Sequence, residues 1–139
     1  MIVLDTNVLS ELMNPKGSRV VYRWVANQSI MSLFTTTVTQ AEVLYGIALL
    51  HNGQRRDALT QAAQQMFEED FSRRILSFDS AAAAAFAQVA ATRRQIGSPI
   101  SQLDAQIAGI CLSRGAQLAT RNVSDFQECG IAMINPWNS

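Results

Sequence analysis

The chain begins with a short apolar run that stops on a carboxylate: Ile2 to Leu4 lead directly into Asp5-Thr6-Asn7. A continuous apolar stretch of this length, bounded by polar residues, predicts a buried strand. A short helix follows, up to the break at Asn14-Pro15-Lys16-Gly17. Ser18 is placed to cap a second helix that carries Val20, Val21, Trp24 and Val25 on one side. Leu33 to Val38, rich in Thr and β-branched residues, predicts a second strand feeding a helix from about Gln40 to His51, which Asn52-Gly53 closes. A further helix covers about Arg55 to Phe71, and Arg74 to Phe78 predicts a strand. Asp79 caps a long alanine-rich helix that ends at Gly97-Ser98-Pro99. Ser101 starts a helix to Arg114 that Gly115 terminates, and Gln117 to Thr120 and Ile131 to Ile134 give the last strands before Asn135-Pro136-Trp137. Strands separated by helices predict an α/β fold: a doubly wound, mostly parallel sheet with helices on both faces.

Composition bounds this picture without redirecting it. The chain has 139 residues, 48% of them hydrophobic, which is enough for one domain spanning 1–139 with one sizeable core. The apolar start meets Asp5 at once, with neither a basic leader nor a cleavage site, and no later run is long enough to cross a bilayer. Cys111 and Cys129 lack zinc-ligand spacing, and two thiols without a secretion signal point to a reducing cytoplasm. A net charge of zero argues by itself against a nucleic-acid partner, but the distribution differs from the sum. Ten of the eleven cations are Arg, several of them paired as Arg55-Arg56, Arg73-Arg74 and Arg93-Arg94. If four particular acids were neutralised by a metal, eleven cations would face seven anions, leaving a modestly basic rim around an acidic hole.

Those four acids are Asp5, Glu42, Asp104 and Asp125. In open α/β sheets ligands bind beyond the carboxyl ends of the strands, and Asp5 and the Arg121 to Asp125 loop both follow strands directly. Glu42 and Asp104 lie near helix starts, which face the same edge, so all four could converge on a hard divalent cation such as Mg²⁺ or Mn²⁺. Each also has a plainer reading. Thr39 to Glu42 and Ser101 to Asp104 both match a capping box, in which the acid bonds back to the cap. Asp125 could be a turn residue. Asp5 is harder to explain this way, because an unpaired carboxylate at the end of a buried strand is costly. The lone histidine, His51, excludes a two-histidine ribonuclease and leaves a Ser/His hydrolase without support. The helix from Gln40 to Leu50 is apolar nearly all round with Gly46 in its middle, so it is either wholly buried or shared with a second subunit.

LDTNVLSEL, TVTQAEVLYGIALL, SQLDAQIAGIC, LATRNVSDF and INPW, in that order from Met1 to Trp137, resemble the PIN-domain family and within it the VapC-type, FitB-like toxins. The resemblance implies a Mg²⁺- or Mn²⁺-dependent endoribonuclease that forms a homodimer and is inhibited by a small DNA-binding antitoxin. Asp5, Glu42 and Asp104 match the family's three metal-binding acids, and Thr6 and Thr120 match hydroxyl positions that assist the metal or substrate. The chain departs from the pattern after the Thr120-Arg121 pair. Many relatives carry an acid there; this chain has Asn122, with Asp125 three residues further on. Asn122 is expected to face the pocket and Asp125 to turn back toward it.

Hard-cation chemistry then gives one or two ions held chiefly by Asp5 and Asp104, with Glu42 acting directly or through water, in the hydrolysis of an RNA phosphodiester. Two readings from other classes stand beside this one. The first is a phosphatase using Asp5 as nucleophile, which the sequence Asp5-Thr6-Asn7 disfavours because no acid follows two residues later. The second is a catalytically silent module that binds RNA or a partner through the same pocket, with Asn122 as its motive.

Overall fold

In a computed structural model describing residues 1–139, the predicted strands form one five-stranded sheet. β1 (Ile2–Leu4), β2 (Leu33–Thr36), β3 (Ile75–Leu76), β4 (Gln117–Ala119) and β5 (Met133–Ile134) lie in the order β3-β2-β1-β4-β5, every pair parallel. The chain winds outward from β1 to β3, then returns to β4 on the other side. The crevice between β1 and β4 is therefore the point where the winding reverses.

The two-residue period of a strand divides the core into two layers. Val3 and Leu118 face α5 (Ser80–Gln95) and α6 (Gln102–Arg114), where Val89, Ile107 and Ile110 meet them. Leu4 and Ala119 face the opposite way, onto α1 (Thr6–Met13), α2 (Arg19–Ala26), α3 (Thr37–Ala48) and the segment after α4 (Gln54–Gln65), through Leu9, Val21, Val43, Ile47 and Phe67. Ile107 and Ile110 have no exposure, and each such side chain contributes about 1.5–3 kcal/mol by leaving water. Helices cover both faces, as the alternation of elements predicts. No helix is long and apolar enough to cross a membrane.

The pairing of α5 with α6 depends on Gly109. A Cβ there would stand 2.8 Å from the Ala82 carbonyl oxygen and 2.9 Å from the Phe86 amide nitrogen, so the two backbones meet where only glycine fits. Gly46 is the contrary case: nothing lies within 4 Å of its missing Cβ, so no other element approaches it closely within this chain.

Several boundaries and two roles differ from expectation, β3 and β5 being shorter than predicted. β2 stops at Thr36, whose hydroxyl accepts from the Thr39 amide at 3.0 Å, so Thr36 is the cap and α3 starts at Thr37. Glu42 consequently sits in the second turn of α3, and the capping-box reading of Thr39 to Glu42 fails. α3 ends at Ala48, which leaves His51 beyond the helix. The helix after Gly53 changes into a π-helical turn over Met66–Asp70. α3 is not wholly buried either: Val43 and Ile47 enter the core while Leu44 and Tyr45, and Leu49 just past the helix end, are 47%, 66% and 66% exposed.

The arginine pairs do not form a simple basic rim. Arg74 and Arg93 are buried, with their guanidinium groups spent on backbone carbonyls: Arg74 on those of Ile30, Leu33 and Asp70, and Arg93 on those of Ser98, Asp125 and Gln127. The single ion pair of the chain joins Arg114 to Asp79 at 3.3 Å, far from the paired arginines' expected role.

Candidate active site

Asp5 ends β1 and caps α1, its Oδ1 accepting from the Thr6 amide at 2.8 Å. The Thr120 hydroxyl, one residue past β4, donates to Asp5 Oδ2 at 2.8 Å, so the carboxylate spans the crevice at the winding reversal. Asn7 completes the bridge. Its amide donates to Asp5 Oδ2 and Thr120 Oγ1, both at 3.4 Å, and its oxygen accepts from the Arg121 amide at 3.2 Å. On the other side, the Thr6 hydroxyl donates to Glu42 Oε1 at 3.0 Å and lies 3.2 Å from Thr39 Oγ1. One hydrogen-bonded network thus runs from Glu42 through the hydroxyl and then the amide of Thr6 to Asp5 and on to Thr120.

Asp104 enters from the first turn of α6. Ser101 Oγ accepts from its amide at 3.2 Å, so the first half of the predicted capping box is present. The Asp104 charge is felt by the other acids. Burial pushes the Asp5 carboxyl above its usual range, the Thr120 and Thr6 hydrogen bonds oppose that, and the Asp104 charge adds to it. Glu42 is raised by burial and by the charges of Asp5 and Asp104, against its bond from Thr6. Asp104 is raised by burial and by Asp125, with Ser101 and the Arg93 charge pulling it down. A chain of mutually repelling carboxylates therefore runs from Glu42 through Asp5 and Asp104 to Asp125.

The sequence-predicted residues are thus brought to one edge, although not equally. Asp5 and Thr120 are buried and directly bonded. Thr6 joins Asp5 to Glu42. Asp125, in a short 3-10 turn over Val123–Phe126, is exposed, yet its charge reaches Asp104. Asn122 is exposed, and its backbone rather than its side chain is tied in: its amide donates to Thr120 Oγ1 at 3.0 Å and its carbonyl accepts from the Asp125 amide at 3.0 Å. Sequence reasoning missed Asn7 as a bridge and Thr39 as a buried neighbour of Thr6. The Asp5-Thr6-Asn7 run contained the first signal, since the third residue of a strand-to-helix corner returns toward the cap.

Every donor at this edge is an oxygen, which suits a hard divalent cation rather than a soft one. As the side chains stand, no group of three acids, histidines or cysteines is close enough together to hold an ion. Beside Glu42 and Thr6 opens a cleft of about 660 Å³ between α1, α3 and α4, its walls including Val43, Ile47 and Leu50, with Arg55 on its lining. On the other flank, the Arg121 guanidinium lies 5.1 Å from the centre of the Trp137 ring.

A parallel sheet wound both ways, with clustered carboxylates and hydroxyls at the reversal of its winding, is the architecture of an α/β protein with an acidic polar pocket. A family profile described as PIN domain matches residues 2–130, and the chain belongs to the PIN-domain family. It is 37% identical to the plasmid stability protein StbB of Pseudomonas syringae pv. tomato, with both chains covered in full. It is 35% identical to the VapC ribonuclease Y4jK of Sinorhizobium fredii over 99% of this chain and 98% of that one. The structure of FitAB bound to an IR36 DNA fragment matches with a TM-score of 0.92 and 34% identity, covering 99% of this chain and 96% of that one.

Proposed function

We propose that this protein is an endoribonuclease acting as the toxin of a toxin–antitoxin pair, with a Mg²⁺ or Mn²⁺ ion at the β1–β4 crevice. The observation that carries the reading is Asp5: a buried carboxylate, raised by burial, with Asp104 adding its charge where a basic partner would be expected. The similarity to a VapC ribonuclease supports the nuclease class, and the similarity to FitB in a DNA-bound complex supports a small DNA-binding antitoxin as partner.

Asp5, Glu42 and Asp104 would hold the cation, Asp125 would support it through Asp104, and Asn122 would offer a neutral oxygen at the rim. A divalent ion there supplies Lewis-acid polarisation of a phosphate and a lowered pKa for an attacking water. The rest is done by the chain. The Thr6 amide donates to one oxygen of Asp5 and Thr120 and Asn7 to the other, which fixes the carboxylate's plane. Thr6 holds Glu42 by Oε1 and leaves Oε2 free. Asp104 and Glu42 would supply further carboxylate oxygens to a bound divalent ion, whose charge would offset the burial and mutual repulsion that raise both carboxyls. Arg121, exposed and stacked on Trp137, is positioned to contact a flanking phosphate.

The apolar cleft beside Glu42 fits an antitoxin segment that combines apolar side chains with an arginine able to pair with the acids. Leu44 and Tyr45 of α3, with Leu49 just past its end, would be covered by a second copy in the homodimer. The Asp5-nucleophile phosphatase reading gains no support, since Asn7, rather than an acid, stands two residues on and is committed to Asp5 and Thr120. The test is RNA cleavage by purified, partner-free protein. Cleavage is expected with Mg²⁺ or Mn²⁺ and lost in excess EDTA; undiminished cleavage in EDTA would end the proposal, and no cleavage under any divalent ion would favour a silent binding module.

A further inference from the structure

Arg93 is an unusual residue to bury. It is 5% exposed, lies in the last turn of α5 and has no carboxylate partner. Its N–H groups instead gather the backbone of two separate segments. Nε donates to the Ser98 carbonyl at 2.7 Å and Nη2 reaches Ser98 Oγ at 3.4 Å. Nη1 donates to the Asp125 and Gln127 carbonyls at 2.8 and 2.9 Å and lies 3.6 Å from Cys129 Sγ. Ser98 opens the segment that delivers Ser101 and Asp104 at the head of α6, and Asp125 and Gln127 belong to the turn after β4. One planar guanidinium thus ties together the two segments that carry Asp104 and Asp125, and its five donors in a fixed fork set their spacing as a single ammonium could not.

A buried charge is costly, and a plain loop staple does not require one. What the charge adds here is a field at Asp104, whose carboxyl it stabilises in ionised form while Asp125 opposes that. We infer that Arg93 is a positioning residue for the acidic pocket: by clamping the Asp125 backbone to the segment leading into α6, it keeps the Asp104–Asp125 pair close enough to act on one cation. This inference rests on the cation site proposed above.

The experiment measures the rise in melting temperature on titrating Mn²⁺ into the full chain, a binding readout that needs no turnover, together with RNA cleavage. Arg93→Lys keeps the charge and loses the fork, and it is expected to raise the Mn²⁺ concentration for half the rise by about tenfold, the scale on which outer-layer partners of metal ligands act. Val89→Ala, one turn earlier on α5 and buried in the core, serves as a destabilised control that leaves the clamp intact, and it is expected to leave that concentration within about twofold. Asp125→Ala should raise it too, and Arg93→Lys combined with Asp125→Ala should do no more than Asp125→Ala alone, because both act through one turn. If Val89→Ala shifts the Mn²⁺ requirement as far as Arg93→Lys, or the two site changes multiply, Arg93 is scaffold only and the inference is wrong. A wild-type chain that responds to Mn²⁺ while Arg93→Lys responds identically overturns the inference alone, whereas a wild-type chain that never responds overturns the cation site and the inference with it.

Discussion

Replacing Gly109 by alanine should destabilise this protein, although the same change in an open helix stabilises it. Ala is favoured over Gly by about 1 kcal/mol in a helix interior. At position 109, however, the added methyl would stand 2.8 Å from the Ala82 carbonyl oxygen, 2.9 Å from the Phe86 nitrogen and 3.1 Å from its Cα. Ordinary contact begins near 3.4 Å, so α5 and α6 must part by about 0.6 Å, and because the obstructing atoms are backbone no rotamer change can absorb it. Overpacking of this kind costs about 1–3 kcal/mol, from which the helix preference returns about 1. A net loss of up to about 2 kcal/mol corresponds to a fall in Tm of up to about 8 °C for a chain of this size. The change should also reach the pocket, because Asp104 rides on the first turn of α6, and the Mn²⁺ needed for half-maximal cleavage should rise with it. The assay is metal-free thermal denaturation by circular dichroism, with Gly46→Ala as comparison. Nothing obstructs a methyl at 46, so there a gain of up to about 1 kcal/mol is expected in the isolated chain. A Gly109→Ala variant that melts higher than wild type would refute the close-approach argument.

Asp5→Asn should abolish cleavage yet raise the melting temperature of the metal-free protein. The Asp5 carboxyl, raised by burial above its ordinary 3.8, holds its proton more tightly folded than unfolded. Its contribution therefore favours folding below about that pH and is lost as pH rises through the folded value, so the variant's advantage should widen with pH and then level off; an advantage independent of pH would contradict the electrostatic reading. Arg121→Ala should raise KM for RNA several-fold with little change in kcat and flatten the salt dependence of binding, which filter binding at several salt concentrations would measure. Leu49→Asp should shift the protein toward monomer in analytical ultracentrifugation while leaving its helix content intact, and an unchanged dimer would place the interface elsewhere than the exposed face of α3.

Much of the architecture was legible because it follows from local pattern. The apolar run before Asp5, the Ser18, Asp79 and Ser101 caps, and Gly115 with φ of 63° each make their statement within a few residues, and each is found in place. The junction at β2 and α3 was misread for an equally local reason. Thr36, Thr37 and Thr39 are all β-formers and all candidate caps, so the sequence offers several helix starts, and only the fit of Thr39 beneath Thr6 selects Thr36. The arginines were misread because charge pairs look solvated in a sequence. Nothing local reveals that Arg74 and Arg93 fold inward onto carbonyls from segments as many as 44 and 34 positions away. For the same reason Asn7 was legible only as a neighbour of Asp5, since its second and third partners are 113 and 114 positions distant.

Capping alone does not account for the acids. Asn, Ser and Thr cap helices as well as Asp does, and Asn at position 5 could still accept from the Thr6 amide, so α1 does not need a carboxylate there. Glu42 lies too deep in α3 to cap anything, and Asp104 already receives its cap from Ser101 through the backbone. Each carboxylate therefore adds charge beyond the needs of its helix, and the charges add at one crevice in which Asp5 and Thr120 are buried. Two hydroxyls are used to hold Asp5 and Glu42 in fixed orientations, and hydrogen bonds from Thr120 and Thr6 favour the ionised forms while burial and mutual repulsion oppose them. An arrangement that stabilises negative charge by donors it cannot spare, against a field it creates itself, is poised for an external cation. If the proposed cation site holds, a divalent ion and an arginine from a partner would compete for this one crevice, because both would be drawn by the same carboxylates.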